Sequence, residues 1–216
     1  SKLLRMSYES FFWLHIKKSA GITTRKLLQP YYKEVDRIKK PKTFIQAIPE
    51  EYNDILNNFR VVLGDYQFKR VLFAKKFLYP DNWDSIYSFA FSREPMDRCI
   101  SMFYYLHYEK RSLIRDILKA YNNVRNRKKI GLSVSYDFDL FLDLIEIAHS
   151  DSDSNYNPSG LSFSTHTAPM FNDITDNEEN VLLTKIYRLE DLNNGIEEVF
   201  KGCGLNYQNC NSTVVI

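Results

Sequence analysis

Cysteine, glycine and proline are all scarce in this 216-residue chain, at three, seven and seven. So few glycines and prolines exclude collagen-like and linker-like chains. Cys99, Cys203 and Cys210 form neither a disulfide framework nor a zinc-ligand pattern. The spacing of Cys203 and Cys210 permits one bridge, but an odd, thinly spread set suits reduced thiols in a reducing compartment. Long apolar runs are also missing. The longest, Phe11 to Ile16, falls far short of the roughly 18 residues a membrane span requires. The opening Ser-Lys-Leu-Leu-Arg lacks the apolar stretch of a signal peptide, although a start at Ser1 leaves room for a leader or anchor ahead of it. Net charge is nearly absent, 29 Lys+Arg against 27 Asp+Glu or +2. That balance argues against nucleic acid as a partner, whose binders carry a marked basic excess. These absences lead to the expectation of a soluble, cytoplasmic protein.

Aromatic side chains are abundant, with 15 Tyr and 15 Phe. At 44% hydrophobic and 26% charged residues the composition is globular. A chain of this length buries roughly 70% of its unfolded surface, so its core needs no metal or disulfide staple. We read one domain over residues 1–216, with short apolar runs alternating with helical stretches, an α/β layout. Strands are expected at Phe11–Ile16, Val61–Leu63, Ile86–Ser92 and Val181–Tyr187. Helices are expected at about Ile22–Leu28, Phe68–Leu78, Pro95–Glu109, Arg111–Lys129, from Asp137 onward, and from Glu190 to about Lys201. The stretch 151–160 has loop composition.

Two segments carry chemistry. The first runs His15-Ile16-Lys17-Lys18-Ser19-Ala20-Gly21-Ile22-Thr23-Thr24. A loop of small residues between a buried strand and a helix points successive N–H groups at one spot, and the helix N-terminus adds its donors and dipole. That is an anion site, to which Ser19, Thr23 and Thr24 add hydroxyls and a lysine adds a point charge. The two glycines and Gly-Lys-Ser/Thr of a nucleotide triphosphatase P-loop are absent. An ordinary βα turn with surface lysines would have the same residues.

The second segment, Phe91-Ser92-Arg93-Glu94-Pro95-Met96-Asp97-Arg98-Cys99-Ile100-Ser101, places Arg93 at the end of a strand and Ser101 two turns into a helix opened by Pro95. An arginine there can clamp a phosphate bidentately, and a serine can complete the clamp. Ligands of open α/β sheets bind at such strand ends. For Arg93 alone, an ion pair with Glu94 or Asp97 is the plainer outcome.

Together the two segments resemble the sulfotransferases that use 3′-phosphoadenosine 5′-phosphosulfate (PAPS). Residues 15 to 23 are similar to that family's His-Ile-Pro-Lys-Thr-Ala-Gly-Thr-Thr, with Lys18 on the motif lysine. Arg93, Pro95, Arg98 and Ser101 match Arg-Asp-Pro-x-x-Arg-x-x-Ser at unbroken spacing. Tyr187-Arg188-Leu189-Glu190-Asp191-Leu192, with Val199-Phe200 and Gly204-Leu205, is similar to its closing strand and helix. The nearest branch is the carbohydrate one, which includes the heparan 2-O-sulfotransferases. Lys17 stands at the motif proline, Ile22 at its first threonine, and Gly64-Asp65 where that branch has Gly-His.

The resemblance implies a P-loop-like three-layer α/β domain with a central, mainly parallel sheet flanked by helices. It implies PAPS as donor, PAP as product, no metal, and a small-molecule or glycan acceptor. Residues Lys17, Lys18, Ser19, Ala20, Gly21, Ile22, Thr23 and Thr24 would take the 5′-phosphosulfate, with Lys18 stabilising the leaving phosphate. Arg93 and Ser101 would take the 3′-phosphate. A base must accept the acceptor's proton, and Asp65 is the first candidate, with a turn aspartate as the plainer alternative. His166 lies in a polar segment suited to lining an acceptor cleft. His15 and His107 read as structural, and His149 has no distinguishing context. The basic runs at Arg125–Lys129 and Arg37–Lys42 read as solvated faces. Two other functions compete: a P-loop small-molecule kinase, and a degenerate nucleotide-binding or interaction protein without turnover.

Overall fold

Phe11, Phe12, Trp13 and Leu14 alternate across a sheet and are all buried, so strand β1 (Phe11–Leu14) carries apolar side chains on both faces. The structure, a computed structural model, describes residues 11–31, 46–48, 51–57, 63–106, 134–150 and 166–205. β1 pairs in parallel with β2 (Tyr87–Ser92), and β2 in parallel with β3 (Lys185–Arg188). The strand order is β1-β2-β3, with Leu14 beside Ala90 and Ser92 beside Arg188. On one face Phe12, Leu14 and Ala90 pack with Val71, Phe73, Tyr79 and Trp83. On the other, Phe11, Trp13, Phe89, Phe91 and Tyr187 meet Leu28 and the row Leu192, Ile196, Val199 and Phe200. The result is a mixed α/β fold whose parallel sheet lies between two apolar layers, as the sequence implied.

The helices follow local rules. Helix α1 (Gly21–Leu28) buries Gly21, Thr24 and Leu28, one face at helical spacing. After α2 (Tyr52–Asn57), a one-turn 3₁₀ helix at Gly64–Tyr66 leads to α3 (Arg70–Phe73), which widens into a π turn over Ala74–Leu78. The expected strand at Val61–Leu63 lies outside the described residues at Val61 and Val62. The chain divides into two units, Ser1–Glu94 with Pro169–Ile216, and Pro95–Ala168. The second holds α4 (Pro95–Tyr104) and α5 (Val134–Ser150), whose Met102, Phe103, Leu140, Phe141 and Leu144 share a core with Leu106. Helix α5 begins three residues before the expected Asp137.

The last expected strand is shortened. Only Lys185–Arg188 joins the sheet, because the chain first turns back on itself after α6 (Met170–Ile174). Asp176 Oδ1 accepts the N–H groups of Glu178 and Asn180 at 2.9 and 2.8 Å. Val181 is thereby drawn into an isolated antiparallel bridge with Thr175. A 3₁₀ turn, Leu189–Asp191, then precedes α7 (Leu192–Gly202). Gly204, at φ 65°, ends α7 in a Schellman motif, with Leu205 N–H on Phe200 O and Gly204 N–H on Lys201 O. Expected helices over Arg111–Lys129 and the loop 151–160 fall outside the described residues.

One buried ion pair ties α3 to α6. Arg70, 2% exposed, donates from Nε to Asp173 Oδ1 at 3.0 Å and from Nη2 to Oδ2 at 2.8 Å. Removing one partner strands a buried charge, so Asp173→Ala should destabilise the fold by about 3–5 kcal/mol. Urea unfolding of the two proteins measures this, and a loss below about 1 kcal/mol would show the pair to be solvated.

Candidate functional site

The loop between β1 and α1 is held from beneath. Asn57, 1% exposed, donates from Nδ2 to Trp13 O at 2.6 Å and accepts His15 N–H on Oδ1 at 2.8 Å. Its amide stands beside β1 much as a neighbouring strand would. Arg70 Nη1 donates to His15 O at 3.3 Å. Both backbone groups of His15 are thus fixed as the chain leaves the sheet. Lys17 Nζ donates to Asn57 O at 3.5 Å, against the negative end of α2.

Beyond that anchor the backbone is strained. Lys18 and Ala20 have φ of 64° and 56°, the left-handed region that non-glycine residues rarely occupy. Alternating conformations of this kind curl successive N–H groups into a concave nest. The first helical bond of α1 runs from Thr24 N–H to Ala20 O at 2.9 Å, and no side chain caps the helix. Gly21, Ile22 and Thr23 therefore present N–H groups with no partner inside the helix. Ser19 Oγ and Thr24 Oγ1 are buried and have no hydrogen-bond partner among the described residues. An unmet buried hydroxyl costs about 1–3 kcal/mol, so these donors fit an anion held in the loop. Ile22 is 77% exposed and offers the loop only its N–H.

Arg93 leaves the end of β2 and donates from Nη1 to Lys18 O at 3.4 Å. It forms no salt bridge among the described residues, so the ion pair expected as its plainer outcome is not made. The backbone just after it is fixed by Glu190, whose Oε1 accepts Glu94 N–H at 3.2 Å. Bonds from the backbone N–H groups of Glu190 itself and Glu94 hold that carboxyl below its usual range. Lys18 and Arg93, 75 residues apart in the chain, thus meet at one loop. Asp65 stands on the exposed Gly64–Tyr66 turn and makes no hydrogen bond or ion pair among the described residues.

The remaining candidates belong to the second unit. Ser101 is half-buried on α4. Arg98, only 7% exposed, donates from Nη2 to His166 O at 2.9 Å and Ala168 O at 3.1 Å. The His166 ring stacks on Tyr105 at 5.4 Å between centroids. His149 Nε2 lies 2.9 Å from Thr167 Oγ1, and burial, reinforced by Arg98, pulls its pKa below the ordinary histidine value. His107 lies outside the described residues. Cys99 and Cys203 are free thiols, and burial pushes Cys203 up to about 12.

Asn57, Arg70 and Asp173 escape a sequence reading because their partners lie 42, 55 and 103 residues away. No local pattern marks them. Among the described residues there is no group of three His, Cys, Asp or Glu that could hold a metal, and no helix long and apolar enough to cross a membrane. Compared with known proteins, the chain matches the sulfotransferase family over residues 3–211. No curated protein and no solved structure matches it.

His149 generates a pH prediction. Its depressed folded pKa contributes stability that is complete above the unfolded value of about 6.5 and is lost as pH falls below it. The melting temperature should drop through that range, and His149→Gln should flatten the drop. An identical pH slope in the variant would clear His149 of the effect.

Proposed function

The chain belongs to the sulfotransferase family, and from that premise we propose that it moves a sulfuryl group from PAPS to a carbohydrate hydroxyl. Sulfate transfer as such follows from membership; donor, acceptor and residue roles are our assignment. The observation that carries the assignment is the bond from Arg93 to the carbonyl of Lys18, which brings a guanidinium from a distant segment onto a loop of unmet donors.

When bound, PAPS supplies an activated sulfuryl group on a phosphate leaving group. The N–H groups of Gly21, Ile22 and Thr23 and the hydroxyls of Ser19, Thr23 and Thr24 hold its 5′ end. Anion binding at such a helix start draws on the dipole as well as the donors. The Lys18 ammonium faces the charge that gathers on the leaving oxygen, a preorganised electrostatic role. Lys17 and Ala20 shape the loop, Lys17 through its bond to Asn57 O and Ala20 through its left-handed backbone. Arg93 holds the 3′-phosphate. In-line transfer of this kind depends on positioning and charge more than on covalent help. Asp65 is the carboxylate assigned to take the acceptor's proton.

Thermal shift with PAP, with ATP and Mg²⁺, and without ligand tests the donor. PAP alone should raise the melting temperature, and a preference for ATP with Mg²⁺ would replace sulfuryl by phosphoryl transfer. Lys18→Ala should lower turnover of labelled donor by about a hundred-fold or more without unfolding the protein, the scale of losing one transition-state donor. Arg93→Ala should weaken PAP binding by about 1.5–3 kcal/mol. Unchanged turnover or binding would remove the corresponding residue. Asp65→Asn should abolish turnover, because an amide cannot take the acceptor's proton, and full activity would dismiss Asp65.

A further inference from the structure

We propose that His15 is a positioning residue for the donor loop, and that residue 21 is glycine because the His15 imidazole takes the space of a side chain there. The inference rests on the donor-binding role assigned to that loop.

Both backbone groups of His15 and the face of its ring are engaged. Its N–H donates to Asn57 Oδ1 at 2.8 Å, and its carbonyl accepts from Arg70 Nη1 at 3.3 Å. Its ring stacks on the Trp13 indole at 5.2 Å between centroids and 19° between planes. Trp13 is itself buried in the sheet's second core, so it offers a wall that does not yield. On the other side stands Gly21. A Cβ built on Gly21 would lie 1.7 Å from His15 Nε2 and 2.4 Å from both Cδ2 and Cε1. No rotamer adjustment of a few tenths of an ångström absorbs an overlap of that size. The ring could step aside only by leaving Trp13.

Conformation gives no other reason for glycine at this position. Gly64 and Gly204 are the glycines with positive φ among the described residues, and Gly21 is not one of them. It opens α1, where alanine is the better helix former. The contact therefore has a geometric purpose: it joins residue 15, before the loop, to residue 21, after it. Closing the ends of the five-residue segment 16–20 compresses the backbone between them. Lys18 and Ala20 take up that compression in the left-handed region, which is what turns their neighbours' N–H groups inward. His15 acts through this closure and touches no reacting atom.

A double-mutant cycle tests the pair, read by melting temperature and by PAP affinity in titration calorimetry. Gly21→Ala should lower the melting temperature and weaken PAP about ten-fold, the scale of an overpacked core position. His15→Ala, which opens the loop, should also weaken PAP. The double variant should exceed Gly21→Ala in both readouts, because the methyl then fills vacated space. His15→Phe keeps a planar ring and should hold PAP affinity within about two-fold of the starting protein. Losses that merely add in the melting cycle would overturn the lock. A double variant that regains its melting temperature but not PAP affinity would reserve Gly21 for the donor and overturn the assignment of its glycine. His15→Phe with normal PAP affinity but collapsed turnover would make the imidazole chemical rather than positional. If Gly21→Ala does not fold, folded protein from the double variant is the same suppression read more coarsely. Absence of PAP binding in the starting protein would refute the donor assignment, while the melting cycle would still decide the lock.

Discussion

Arg70 is a buried guanidinium whose orientation sets the rest of the site. Two of its nitrogens face Asp173 and a third reaches the carbonyl of His15, the first residue after β1. Such a pair is not a source of stability in itself, since a well-packed apolar replacement often does as well. What it supplies is direction. A planar fork with fixed donor angles holds the His15 carbonyl at one place relative to α3 and α6. Asn57 does the same for the N–H side, so the chain enters the loop with no freedom at its first peptide.

That anchoring explains how the loop tolerates its own geometry. Left-handed conformations at Lys18 and Ala20, and unmet hydroxyls at Ser19 and Thr24, are each unfavourable by about one to a few kcal/mol. They persist because the surrounding structure over-determines them: a fully buried strand before, a helix packed through Thr24 and Leu28 after, and a closed contact between His15 and Gly21 across the gap. A loop free to relax would turn its donors to water. One held open keeps them aimed, at a cost that a bound anion would offset.

Much of the scaffold is legible in sequence because it depends on neighbours in the chain. The apolar run from Phe11, the proline that opens α4 and the glycine that ends α7 each act within a few residues, and the elements appear where those signals stand. Sequence also brings Lys18 and Arg93 under suspicion, through two motifs in βα contexts. It fails where an interaction spans distance. Nothing near Asn57 says that its amide completes the edge of a strand 42 residues earlier. Apolar period reports which face is buried, whereas buried polar partners are chosen by the assembled fold.

The two arginines of the second motif show the same limit at closer range. Arg93 and Arg98 are five residues apart, and both are motif positions. Yet Arg98 is nearly buried, and its guanidinium is committed to the carbonyls of His166 and Ala168. It braces the segment that follows α5, and its charge also weighs on His149 and Cys99. Arg93 is half-buried, with one long bond to a loop carbonyl and its other donors uncommitted. A buried guanidinium whose Nη2 is held by two backbone oxygens must break those bonds to turn that nitrogen to a phosphate, whereas one with a single long bond need not. Motif letters rank the two equally. Their hydrogen bonds do not.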